Sequence, residues 1–257
     1  MMFHFIGSIS PTAWANGIAL TVLVYYTAKT SGAHLNPALS LAFFLMGYTN
    51  PIELVCYWAA QISGCIMGAL WIACLVPGLG PGATISRVGD GPFYDGCFVP
   101  RNDMSNADVF AWEAFSTFCF LTPIFSVVWY TLNKKGYGNT GPIIIGLSLL
   151  ANALATGPFT GAALNPARVL ASPSVFNCPN EDHIWYYVAG EMLAGVVVPI
   201  AIMPWYGISP TAWYKAWIPS SLLSKLKGFR NEEVLNADIE KQDDADQERD
   251  DESREDG

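Results

Sequence analysis

Asn36 and Asn165 stand in matching surroundings, Gly32-Ala33-His34-Leu35-Asn36-Pro37-Ala38 and Gly161-Ala162-Ala163-Leu164-Asn165-Pro166-Ala167, 129 residues apart (165 less 36). Asn caps the orphan backbone donors of a helix start and Pro, with no N–H, suits the first helical position, so each copy is predicted to open a helix. Arg168 follows the second copy inside an apolar stretch free of any other charge, where an arginine needs a function or a partner. Glu113 and Glu191 are acids placed by position inside apolar runs, as a proton-coupled transporter would also use them. Bond-making chemistry is excluded: the apolar region holds no nucleophile, His and acid together, and the cysteines form no metal pattern with a nearby His. No cofactor is implied, and these residues offer hydrogen bonding and fixed charge instead.

The elements that position them repeat as well. Gly17 and Gly146 each lie 19 residues ahead of their Asn, while Gln61 lies 25 residues after Asn36 and Glu191 lies 26 after Asn165. Hydrophobic residues make up 52% of the chain and charged ones 14%, against about 25% charged in a soluble domain. Charge-free stretches run over Thr12–Ala28, Leu54–Ser86, Ala114–Asn133, Gly136–Ala167 and Met192–Tyr214, most of them at least the ~20 residues that cross a hydrocarbon core. The fold class is therefore an all-α polytopic membrane protein. Spanning helices, a short Gly-containing loop and a helix too short to span, repeated twice, point to a pore or binding site near the bilayer midplane.

Taken in order, residues 1–11 are a remnant without the basic start and cleavage site of a signal peptide. The first repeat, 12–76, has a span over Thr12–Ala28, a half-helix over Ala38–Gly47 and a span from Pro51 to about Leu75, whose Gly64 and Gly68 are spaced for close helix packing. Residues 77–108 read as a long solvent-facing loop. The second repeat, 109–206, has spans over Ala111–Leu132, Pro142–Gly157 and Ile184–Tyr206, with a half-helix over Ala167–Ala171 that Pro173 stops. Residues 207–257 form a tail. Its part from Asn231 holds 13 acidic and 3 basic residues, net −10 of the chain's −9, and has too little apolar surface to fold alone.

With the tail inside, Lys29, Lys134, Lys135, Lys215, Lys225, Lys227 and Arg230 are inside and Arg87 and Arg101 outside, as the positive-inside rule favours. The tail is thus expected in the cytoplasm; plasma and internal membranes are not distinguished. Few and scattered basic residues exclude nucleic acid as a partner. Cys97 and Cys178 fall in loops on one outer face, where a disulfide and two free thiols are both open.

Paired Asn-Pro-Ala motifs on a repeat frame, the second continuing to Arg168, resemble the aquaporin and aquaglyceroporin (major intrinsic protein) family over residues 12 to about 206. The resemblance implies an inverted-repeat channel whose half-helices meet at the midplane, with Asn36, Pro37, Ala38, Asn165, Pro166 and Ala167 at the pore. Amide N–H groups of the two Asn would face the passing oxygen and the positive helix ends would repel cations and protons. Extended segments Gly32-Ala33-His34 and Gly161-Ala162-Ala163 would turn carbonyls toward the pore, His34 itself packing the loop. Counting from each Asn carries the constriction over to Asn16, Ala153, Ala162 and Arg168, and Glu113 and Glu191 become acceptors for loop N–H groups. Asn16 and two alanines leave a wider opening than a strict water channel's aromatic and His, which favours glycerol- or urea-like solutes beside water. Val169 departs from the Asp that usually follows the arginine in glycerol channels. The family implies a homotetramer with a pore in each protomer in a lipid bilayer. Only five spans are visible where the family has six, the first being the one unmatched, which weakens the expected assembly and raises a non-conducting truncated subunit as the alternative, with a proton-coupled secondary transporter behind it.

Overall fold

The computed structural model describes residues 2–76, 80–82, 97–132, 138–178 and 181–206. The described residues form five long α-helices and two short ones. They are α1 (Met2–Ser31), α2 (Pro37–Leu45), α3 (Pro51–Leu75), α4 (Asn106–Leu132), α5 (Gly141–Thr160), α6 (Pro166–Val175) and α7 (Ile184–Ile202). Four of them, α3, α4, α5 and α7, are long and apolar enough to cross a membrane. At nine and ten residues, α2 and α6 reach only about 15 Å at 1.5 Å per residue and cannot cross. The expected acidic tail, residues 207–257, and the basic turn at Lys134 and Lys135 lie outside the described residues.

Local chemistry explains where helices start. Asn50 accepts from the Glu53 N–H at 2.9 Å while the Glu53 carboxylate accepts from the Asn50 N–H at 2.9 Å, a reciprocal cap that fixes the beginning of α3 at Pro51. The same device begins α4 before the expected Ala111. Asp108 accepts from the Ser105 N–H at 2.9 Å and Ser105 Oγ accepts from the Asp108 N–H at 3.2 Å. Other boundaries move outward too. Helix α1 runs from Met2 to Ser31 rather than over Thr12–Ala28, passing through Pro11. Pro173 does not stop α6, which continues to Val175; Ser172 and Ser174 hydroxyls donate to Arg168 O and Leu170 O at 3.2 and 2.7 Å and support that last stretch. A single proline removes one ladder bond, here in the last turn, and the helix carries on to Val175. Helix α7 ends at Ile202, short of the expected Tyr206.

Close helix crossings sit on the repeat glycines. A Cβ at Gly146 would stand 1.8 Å from Thr21 Oγ1 and 2.4 Å from Gly17 O, and one at Gly17 would stand 2.8 Å from Gly146 O, so α1 and α5 touch backbone to backbone. In the second pair, a Cβ at Gly190 would meet Phe110 O at 2.6 Å, which brings α7 against α4. Gly195 does the same for Ala38 O at 2.6 Å, and α2 rests mainly on α7 while α6 rests on α3. Each half-helix is therefore carried chiefly by a long helix of the other repeat.

Gly64 and Gly68 do not mark such a crossing: a Cβ at either has nothing within 4 Å among the described residues. The face of α3 that carries Val55, Met67, Trp71 and Leu75 is correspondingly exposed. Gly146→Ala should therefore destabilise the protomer by about 2–3 kcal/mol through overpacking, whereas Gly64→Ala should be neutral or gain up to ~1 kcal/mol in helix propensity. Melting temperatures of the two variants in the same detergent would check this, and equal shifts would contradict the assignment of Gly146 to a crossing.

Candidate functional site: two opposed half-helices on one cavity

Both short helices begin as their sequences dictate. Asn36 and Asn165 are extended at φ −153° and −158°, and their side-chain oxygens accept from Ala38 N at 2.9 Å and Ala167 N at 3.0 Å. The remaining end of each amide reaches across the repeat. Asn36 Nδ2 donates to Leu164 O at 2.6 Å, and Asn165 Nδ2 donates to Leu35 O at 2.9 Å. A side-chain NH2 has two donors, so the cross-bond engages one and leaves the second for whatever passes.

The extended conformation expected for Gly32-Ala33-His34 and Gly161-Ala162-Ala163 does not hold throughout these loops. Gly32 and Ala33 take φ +67° and +55°, and Gly161, Ala162 and Leu164 take +87°, +51° and +56°. Left-handed backbone at a residue with a Cβ costs about 1–2 kcal/mol and persists only where the surroundings enforce it. A left-handed pair turns successive carbonyls and N–H groups sharply, which an extended strand could not do within three residues of a helix start.

What enforces the second loop is Glu113, fully buried. Its Oε1 accepts from Ala163 N at 3.3 Å and from the Thr160 hydroxyl, and its Oε2 accepts from Leu164 N at 3.1 Å. Glu191, equally buried, accepts from Asn165 N at 2.7 Å. Tyr187 OH adds a bond to Thr160 O at 2.6 Å. The first loop is held differently, because Gln61 donates through Nε2 to His34 O and to Ser40 Oγ, the latter at 2.8 Å. His34 is buried in a stack with Phe43 and Tyr57 at 4.3 and 4.7 Å between centroids. Trp58 Nε1 donates to Pro37 O at 3.0 Å.

One cavity of about 890 Å³ receives these groups. Asn36, Asn165, Asn16 and Arg168 all line it, as do Gly32, Ala33, His34 and Ala163. Ala153 and Ala162, the other two residues counted into the constriction, are buried and are not on its wall. Gly161 is also off the wall, closing α5 as its left-handed cap. Arg168 is half-buried, donates from Nη1 to Ala163 O at 2.9 Å, and lies with its guanidinium carbon 5.1 Å from the Phe98 ring centroid.

Cys97 and Cys178 are joined by a disulfide. The stretch beside it departs from the expected solvent-facing loop: Val99 and Pro100 are buried and Phe98 is half-buried against Val109, Ala163, Val169 and Tyr187. Sequence reasoning missed the roles of Phe98, Thr160 and Tyr187; Thr160 opens the second motif copy as Ser31 opens the first, but no local pattern marks Phe98 or Tyr187. Gln61 was visible as the repeat counterpart of Glu191, but not as a donor.

No group in this constellation is arranged for covalent chemistry, and among the described residues no cluster of His, Cys, Asp or Glu could hold a metal ion. Two opposed helix starts on a mostly apolar cavity with a few polar groups, set among apolar helices of membrane-crossing length, define an integral membrane protein of the channel type. The major intrinsic protein (MIP) family profile matches residues 2–201, and the chain belongs to that family. It is similar to Aquaporin-8 of Rattus norvegicus, 30% identical over 80% of this chain and 73% of that protein. It is also similar to Aquaporin TIP1-2 of Musa acuminata, 30% identical over 72% of this chain and 67% of that protein. The X-ray structure of the aquaglyceroporin from Plasmodium falciparum shares the fold with a TM-score of 0.65 at 21% identity, covering 79% of this chain and 86% of that one.

Proposed function

We propose that this protein conducts water and small neutral solutes of the glycerol or urea kind passively through a pore in each protomer of a homotetramer, and excludes protons and ions. The observation that carries the reading is the meeting of Asn36 and Asn165 on the cavity that Arg168 also lines. A solute oxygen at that point finds the free N–H of each amide and the positive ends of α2 and α6, each worth about half a charge. A cation or hydronium finds the same donors and the same charge sign, both unfavourable to it.

On this reading Asn16 and Arg168, which line the cavity, mark the narrowing, and Ala153 and Ala162, buried behind its wall, put no bulky side chain into it, which leaves room for a solute wider than a water molecule. Glu113 and Glu191 hold the loops rather than carry protons, since each already accepts backbone N–H bonds. The tail faces the cytoplasm, with the basic residues of the inner loops on the same side.

The test is stopped-flow light scattering on proteoliposomes of the full chain, with water, glycerol and urea gradients. Permeation of all three above protein-free vesicles is the expected result. Replacing Asn16 with Phe and Ala153 with His together should then cut solute flux about tenfold while water flux falls much less, as a narrower and partly aromatic opening excludes the wider solute. Equal exclusion of glycerol and urea before and after the double change would defeat the wide-opening reading. Absence of any permeation from correctly inserted protein would favour a non-conducting member of the family.

A further inference from the structure

Among the described residues, Arg168 is held by one hydrogen bond, at one corner of its guanidinium. A guanidinium has five N–H donors and a flexible stem, so the bond from Nη1 to Ala163 O leaves its plane free to tilt. The face of Phe98, 5.1 Å from the guanidinium carbon, supplies the missing restraint. Phe98 in turn is boxed in. Its ring lies 6.3 Å from that of Tyr187, and its Cδ1 would stand 3.3 Å from a Cβ on Gly161, which is tighter than ordinary contact.

The segment that bears Phe98 is fixed at both ends. On one side the Cys97–Cys178 disulfide ties it to the stretch just past α6, and both cysteines pack near Ala73 of α3. On the other side Arg101 N donates to Phe159 O at 2.9 Å and the Arg101 guanidinium lies 5.0 Å over the Phe159 ring. Asp103 accepts from Arg101 Nη2 at 2.9 Å, and the bond holds the exposed Asp103 carboxyl below its ordinary range. A strap of five residues, 97–101, thus turns one aromatic face onto the arginine.

We propose that Phe98 is a specificity-determining positioning residue, whose ring sets the orientation of the Arg168 guanidinium on the cavity wall, and that the Cys97–Cys178 disulfide keeps it there. This rests on the reading above that Arg168 belongs to the narrowing. The strap lies far along the chain from both motifs, and the Cys97–Cys178 link, 81 residues apart in sequence, is what brings its aromatic ring to the second of them.

Phe98→Leu keeps an apolar side chain against Val109 and Tyr187 and removes the aromatic face, whereas Phe98→Tyr keeps the face. The ratio of glycerol to water permeability is the readout, because a loss of folded protein lowers both and leaves their ratio alone. Phe98→Leu should raise the ratio on the order of two- to fivefold, Phe98→Tyr should leave it at the parent value, and Phe98→Leu should change nothing further in an Arg168→Val background. Reducing the disulfide in parent protein already assembled in liposomes, with a membrane-impermeant thiol, should shift the ratio in the same direction and have no effect on Phe98→Leu.

An unchanged ratio in Phe98→Leu, with Arg168→Val shifting it, overturns the proposal and leaves the reading of the narrowing intact. Unchanged ratios in both overturn both. A shift of equal size with and without Arg168 also overturns the proposal, since Phe98 would then act as wall and not through the arginine. Insensitivity of the parent to reduction removes the disulfide from the device.

Discussion

Glu113→Leu is expected to remove permeability altogether and to lower the stability of the detergent-solubilised protein by about 3 kcal/mol or more. The leucine fits the volume but strands the N–H groups of Ala163 and Leu164 and the Thr160 hydroxyl, three buried donors that now converge on one carboxylate. Each unpaired buried donor costs about 1–3 kcal/mol. The damage also reaches the backbone, because Ala162 and Leu164 hold their left-handed conformations only while that acceptor is in place. Glu113→Gln keeps one acceptor oxygen and should fall between parent and Leu. Thermal unfolding and permeability measured on the same three preparations give the order. A leucine variant as stable and as permeable as the parent would mean that the loop finds its restraint elsewhere.

For Arg168→Val the expected result is an inserted, stable channel that leaks protons and small cations. A fixed positive charge about 5 Å from a passing cation, at an effective dielectric near 20, raises its energy by roughly 3 kcal/mol, which is about a hundredfold in the rate of crossing. Arg168→Lys separates charge from shape: it should keep most of the ion exclusion while loosening discrimination among neutral solutes, since an ammonium has no planar fork to lie against Phe98. A pH-sensitive dye inside the vesicles and the same solute gradients read the two properties separately. Proton permeability unchanged in Arg168→Val would remove this residue from the barrier and leave the helix ends to supply it.

Asn36 and Asn165 were legible as helix starts because capping is a matter of the residue itself and the two that follow, and the Ser105–Asp108 cap shows the same locality where it moved the start of α4. The repeat glycines were legible as a frame, and Gly17 and Gly146 do meet, but Gly64 and Gly68, four residues apart on α3, meet nothing among the described residues. Spacing fixes which face of a helix carries small residues; it does not say whether another helix comes to that face. Thr160 and Tyr187 belong to a network closed over 47 and 27 residues, and Phe98 is brought to Arg168 by a covalent link that two open thiol positions could not announce. The strap was read as loop because glycine, proline and polar residues around it outnumber the one aromatic that turns inward.

Because Asn36 donates to Leu164 and Asn165 to Leu35, each half of the protein supplies the partner that the other half's loop requires. During synthesis the first half emerges some 128 residues before its acceptor, so Asn36 enters the lipid phase with a donor that nothing yet satisfies. The ribosome therefore delivers two incomplete modules, and the last commitment of the first waits on translation of the second. Expressed as two separate chains, the halves should be degraded individually and recovered only when made in the same cell.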